Sequence, residues 1–110
     1  MPNHINQRIT RLRELVQQRL HEESLDRAVQ ECNSLVQDSP HALLFFTLKN
    51  IFRELADALE GGAVEVHRFE ELTRSFSEKA LLLLQNVASG RSATPDELEE
   101  LVRARVVNRN

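Results

Sequence analysis

The side chains of this chain that could carry out chemistry are four histidines, one cysteine and seventeen carboxylates. His4, His21, His41 and His67 form no HExxH or H-x3-H pair. A helical zinc site needs ligands at i and i+4, so that both ring nitrogens meet one ion. Cys32 has no second cysteine to join it, and no Glu-x-x-His pair occurs on two helices as a di-iron centre would require. A metal site is therefore not expected, and His67, on the polar face of a predicted helix, reads as a solvated surface residue.

General acid–base catalysis needs a carboxylate held in a cleft with a displaced pKa. Glu70 and Glu71 diverge by about 100° on a helix, while Glu97, Glu99 and Glu100 sit where they complement a helix N-terminus. Cys32 falls on an apolar stripe, where a thiol is buried and inert, and no base is placed to activate it. Gly61-Gly62 and Gly90 lack the phosphate-loop pattern and its following Lys-Ser or Lys-Thr. These observations predict a chain that is not an enzyme and carries no cofactor.

The segment Phe46-Thr47-Leu48-Lys49-Asn50 resembles the His-x-Leu-Lys-Gly motif of histidine-phosphotransfer domains, which are helical bundles of this length. The likeness covers two residues. Phe46 stands where the phospho-accepting histidine would be and Asn50 where the glycine would be, so phosphotransfer at this position is excluded.

The elements that position these residues read as helices. One domain of 110 residues has few glycines and prolines, no Trp or Tyr, and abundant Leu, Glu, Arg, Val and Ala, a composition that favours helix because straight-chain residues lose little rotamer freedom there. The net charge of −3 argues against a chain-wide basic surface. Charge is nevertheless uneven: residues 1–20 hold Arg8, Arg11, Arg13 and Arg19 against Glu14 alone, whereas residues 21–90 hold twelve acids and six bases. The lone cysteine, the lack of a signal pattern and apolar runs of at most five residues, Ala42 to Phe46 and Ala80 to Leu84, lead to the expectation of a soluble cytoplasmic protein without a membrane span.

The expected fold is all-α: an antiparallel bundle of four main helices, about 3–21, 25–37, 40–59 and 64–88, plus a short C-terminal helix, 95–107. In the first, Ile5, Ile9, Leu12, Leu15, Val16 and Leu20 form an arc of about 140°. No Gly or Pro occurs from Asn3 to Asp38, but the stripe Leu25, Ala28, Val29, Cys32, Leu35 and Val36 lies almost half a turn from the first stripe. A break near His21 to Ser24, with Ser24 as N-cap, brings both faces to one core; the alternative is one long helix bridging two bundles, as in a domain-swapped dimer. Ser39-Pro40 predicts the third helix start, and Gly61-Gly62 its end, by a left-handed glycine and a tight reversal into a hairpin with the fourth helix. The third helix has a core stripe of Phe45, Leu48, Phe52, Leu55, Ala56 and Leu59. The fourth carries the seam Phe69, Leu72, Phe76, Ala80, Leu83 and Val87 and stops at Gly90. Thr94-Pro95-Asp96-Glu97 is a capping-box signal for the fifth, whose apolar side holds Leu98, Leu101, Val102 and Val106.

Two faces are apolar at one end of this bundle. Leu43 and Phe46 point away from the third helix's core stripe, and Leu81 and Leu82 from the fourth helix's seam. Either another helix of the monomer covers them or another subunit does. The candidate interface is Leu43, Phe46, Leu81, Leu82, Leu98 and Leu101, and the expected function is an interaction module, self-associating or bound to another protein, acting as adaptor, regulator or assembly factor. Alternatives are a nucleic-acid-associated regulator using the basic first helix, or a signalling or small enzymatic domain whose site forms between subunits. Nucleic-acid binding needs several phosphate-reaching cations on one face. Arg8, Arg11 and Arg19, with Arg103, Arg105 and Arg109, make only two small groups whose stems cover core edges, so nucleic acid is not expected as a partner.

Overall fold

A computed structural model describes the backbone of residues 3–18, 22–38, 41–61 and 66–104, and the side chains of 7–18, 23–37, 41–61, 71 and 73–104. Among these residues the fold is all-α, with five helices: α1 (Asn3–Gln17), α2 (Glu22–Asp38), α3 (Ala42–Glu60), α4 (Val66–Ala88) and α5 (Pro95–Ala104). The expected positions 19–21, 39–40, 64–65 and 105–107 lie outside the described residues, as do the side chains of Ile5, Leu20, Phe69, Leu72 and Val106.

The chain reverses between α1 and α2, as the half-turn phase change requires, because only then do Ile9, Leu12, Leu15 and Val16 share a core with Leu25, Ala28, Cys32 and Leu35. The proposed N-cap is corrected. Ser24 lies inside α2, buried, and its hydroxyl donates across the reversal to Gln18 Oε1 at 3.2 Å. The start of α3 is also later than expected: His41 occupies the cap position, makes no side-chain cap bond, and accepts from Leu44 and Phe45 N–H through its carbonyl. The Ser39-Pro40 start falls outside the described residues.

The hairpin expected between α3 and α4 is not the main packing unit. α3 makes its most extensive contact with α2. Asn33 faces Lys49, whose ammonium donates to Asn33 Oδ1 at 3.3 Å, while Glu23 and Asp26 share a groove with Ala56 and Glu60. Each step along α2 is thus matched by a step back along α3, which makes the pair antiparallel. α4 meets α3 at Phe52 and Phe76, whose rings stand edge to face at 5.4 Å and 82°, a favoured aromatic geometry. α1 closes the ring by packing on both α2 and α4, and α5 lies across α3 and α4. The helices therefore run around the core in chain order, with α5 filling the α3–α4 side.

The ends of α3 and α4 use glycine differently. Gly61 closes α3 in the right-handed region, φ −79°, with its N–H on the Asp57 carbonyl at 2.9 Å, so the expected left-handed closure does not occur at this glycine. Gly90 does adopt positive φ, +99°. Its N–H bonds the Val87 carbonyl while Arg91 N–H bonds that of Asn86, the paired bonds that satisfy a helix's last carbonyls. Thr94 and Glu97 then close the capping box reciprocally: Thr94 N–H to Glu97 Oε1 at 2.9 Å, and Glu97 N–H to Thr94 Oγ1 at 3.2 Å. A tight helix stop and a tight helix start set α5's direction.

Within α4, the Ser77 hydroxyl is buried without a hydrogen-bond partner among the described residues. A buried unpaired hydroxyl costs about 1–3 kcal/mol, so Ser77→Ala is expected to stabilise the fold by about 1 kcal/mol. Gly90→Ala is expected to destabilise it by about 1–2 kcal/mol through backbone strain alone, since an added Cβ would meet nothing within 4 Å. Chemical denaturation of both variants checks the opposite signs.

Candidate interaction surface

The six residues expected at an interface separate into two groups. Leu101 is fully buried, and Leu81 and Leu98 are half-buried against the core. Leu43, Phe46 and Leu82 stand 65%, 47% and 57% exposed, and they are the large apolar side chains left exposed among the described residues. The sorting follows from α5: its apolar side, Leu98, Leu101 and Val102, packs onto the core. Leu101 is core within the monomer and offers nothing to a partner in this structure.

Leu43 and Phe46 lie on either side of the point opposite the middle of α3's buried arc, Leu44, Phe45, Leu48, Ile51, Phe52 and Leu55. Leu82 has the same relation to the buried arc of α4. Because α3 and α4 occupy successive places in the ring, their outward faces diverge. The exposed residues thus share one end of the bundle without forming a single continuous face.

Two features shape the α3 part of this surface. The Lys49 ammonium lies 5.1 Å from the Phe46 ring centroid, a cation–π contact made while the same ammonium reaches Asn33 on α2. Beside Leu43, a crevice of about 100 Å³ is lined by His41, Leu43, Leu44, Ser92, Ala93 and Leu98, where the turn before α5 approaches the start of α3. Lys49 was legible as a neighbour of Phe46 by its i+3 spacing. The crevice was not, since it needs α5 laid beside His41.

The candidate chemical residues are scattered. Cys32 is buried; burial, chiefly, and the Glu31 carboxylate push its thiol pKa well above the ordinary value of 9.0, while Lys49 pulls it down. Glu97 serves the capping box. Glu99 pairs with Arg103 at 3.3 Å and Glu100 with Lys79 at 3.6 Å, all exposed. Glu71 is exposed, and the side chains of His4, His21, His67 and Glu70 lie outside the described residues. No group of three or more His, Cys, Asp or Glu side chains able to hold a metal occurs among the described residues. Arg11 and Arg27 line a groove of about 230 Å³ between α1 and α2, interleaved with Glu14 and Glu23, so the cations there are offset by acids. The side chains of Arg19, Arg105 and Arg109 lie outside the described residues.

No protein-family profile matches the chain, and neither a curated protein nor a solved structure matches it. No described helix is long and apolar enough to cross a membrane.

Leu101→Ala is expected to cost about 2–5 kcal/mol of stability, as a buried leucine does, and Leu43→Ala within about 0.5 kcal/mol, as an exposed one does; denaturant titration distinguishes them. The raised folded pKa of Cys32 means that its neutral thiol contributes stability fully present below pH 9 and lost as pH rises beyond it. The stability advantage of the native chain over Cys32→Ala should therefore shrink above that pH, and the native thiol should resist a disulfide reagent until denaturant is added. An advantage that grew with pH would contradict this.

Proposed function

We propose that this chain is a non-enzymatic helical interaction module that self-associates through the outer face of the first turns of α3, with Leu43 and Phe46 as anchors and Leu82 at the same end of the bundle. The carrying observation is the exposure of two adjacent large apolar side chains on α3 beside a crevice of side-chain dimensions. Water contact at such residues is unfavourable, and covering one contributes about 1.5–3 kcal/mol. In an isologous pair, Leu43 of each copy meets the crevice between His41 and Leu98 of the other. The Lys49 ammonium beside Phe46 gives the rim a charged border, as in interfaces whose apolar centre is ringed by polar groups. Such a module acts by assembling or positioning copies, in the manner of an adaptor, regulator or assembly factor.

Size-exclusion chromatography with light scattering tests this reading. The native chain is expected to shift from monomer towards dimer across the micromolar range, and Leu43→Glu or Phe46→Glu to hold it monomeric with its helical content unchanged. A native chain that stays monomeric throughout, or a dimer indifferent to both substitutions, overturns it.

A further inference from the structure

A copy docked on the outer face of α3 leaves the outer face of α4 uncovered, because the two faces diverge. That face carries Glu71, Ser75, Glu78, Leu82, Gln85 and Ser89 at spacing 4-3-4-3-4, all of them exposed. This is the spacing at which one helix presents a continuous seam to another. Leu82, 57% exposed, is the apolar residue of the seam. Counted from Leu82 at about 100° per residue, Glu78 and Gln85 stand about 40° and 60° to one side, and Asn86 and Lys79 about 40° and 60° to the other. Lys79 is held on its side by Glu100 of α5, at 3.6 Å.

This pattern is complementary to itself in one arrangement. A two-fold axis perpendicular to α4 at Leu82 sets two copies of the helix antiparallel, with Leu82 against Leu82. At a rise of about 1.5 Å per residue, Glu78 then falls level with Gln85 of the second copy on one flank, and Lys79 level with Asn86 on the other. On the first flank a carboxylate meets an amide that can donate to it; on the second an ammonium meets an amide oxygen that can accept. The Asn86 amide also offers donors to Glu100, so both charges of the Lys79–Glu100 pair gain a partner. Ser75 falls opposite Ser89, and these two small side chains let the helices approach closely at both ends of the contact. A parallel pair would instead set Glu71 against Glu71 and Glu78 against Glu78 along the seam, a repulsion that Lys79, already held by Glu100, offsets only in part.

We infer that α4 is a second self-docking surface, on which Leu82 of one copy closes on Leu82 of another across this antiparallel two-fold axis. The contact stands independently of the association through α3. It has one large apolar anchor per copy where the α3 contact has two, so it fills at higher concentration. A copy holding two separate two-fold contacts does not close at a pair, and association runs on from dimers to longer assemblies.

The test uses the full chain in a Phe46→Glu background, which removes the α3 anchor and so reads the α4 contact whether or not the α3 association exists. Chains bearing Ser75→Cys are mixed in concentrated solution with chains bearing Ser89→Cys and joined by a short thiol cross-linker, from which Cys32 is shielded by burial. Both substitutions replace exposed serines, so the fold is retained. Positions 75 and 89 lie about 21 Å apart along α4. Antiparallel docking at Leu82 therefore joins position 75 of one copy to position 89 of the other and holds like positions too far apart to link. The expected result is mixed pairs in excess of what random encounter gives, with that excess lost when Leu82→Glu is added, since two carboxylates then stand face to face on the axis. The inference is overturned by like pairs as abundant as random encounter gives, or by an excess of mixed pairs that survives Leu82→Glu.

Discussion

The apolar circumference of α3 is the constraint on which the rest of the structure depends. Leu44, Phe45, Leu48, Ile51, Phe52 and Leu55 are all buried, and they cover too wide an arc for one neighbour to seal. Three helices do it: α2 along most of its length, α4 through the Phe52–Phe76 contact, and α5 at its beginning. The placement of α5 follows from this need, and with it the division of the remaining apolar residues into core and surface. Leu101 and Leu98 are drawn inward. Leu43 and Phe46, at the back of the same helix, are left in water.

The α4–α5 connection is enforced by local chemistry. Between α4 and α5, a positive-φ glycine with paired carbonyl bonds meets a reciprocal Thr94–Glu97 capping box. That turn is specified within a few residues. α1 and α2 reverse so that Ile9, Leu12, Leu15 and Val16 share a core with Leu25, Ala28, Cys32 and Leu35.

Much of this was legible in sequence wherever the signal was local or periodic. The Gly90 stop, the Thr94-Pro95-Asp96-Glu97 start and the reversal before α2 all follow from spacing and phase. Ser24 was misread because a capping residue's type does not reveal whether the helix has already begun before it; Glu22 starts α2. α3 does end at the glycine pair; Gly61 itself stays right-handed, since glycine permits left-handed backbone without requiring it, and Gly62 lies outside the described residues. The dominance of α2–α3 packing over α3–α4 depends on distant side chains, and a single helix wheel carries no information about which neighbour fills each arc. For the same reason Leu101 looked like a surface candidate and Leu43 and Leu82 looked contiguous. Assigning them required the order of helices around the core.

In the proposed self-association, the back of α3, and not the α5 side, is where the folded monomer meets its copy. Side-chain methyl and aromatic resonances followed by NMR across a dilution series test this directly. Signals of Leu43 and Phe46 should move with concentration together with that of Ala93 at the crevice, while Leu101 and Leu35 stay fixed. Concentration-independent signals at Leu43 and Phe46, or changes centred on the core residues, would contradict it.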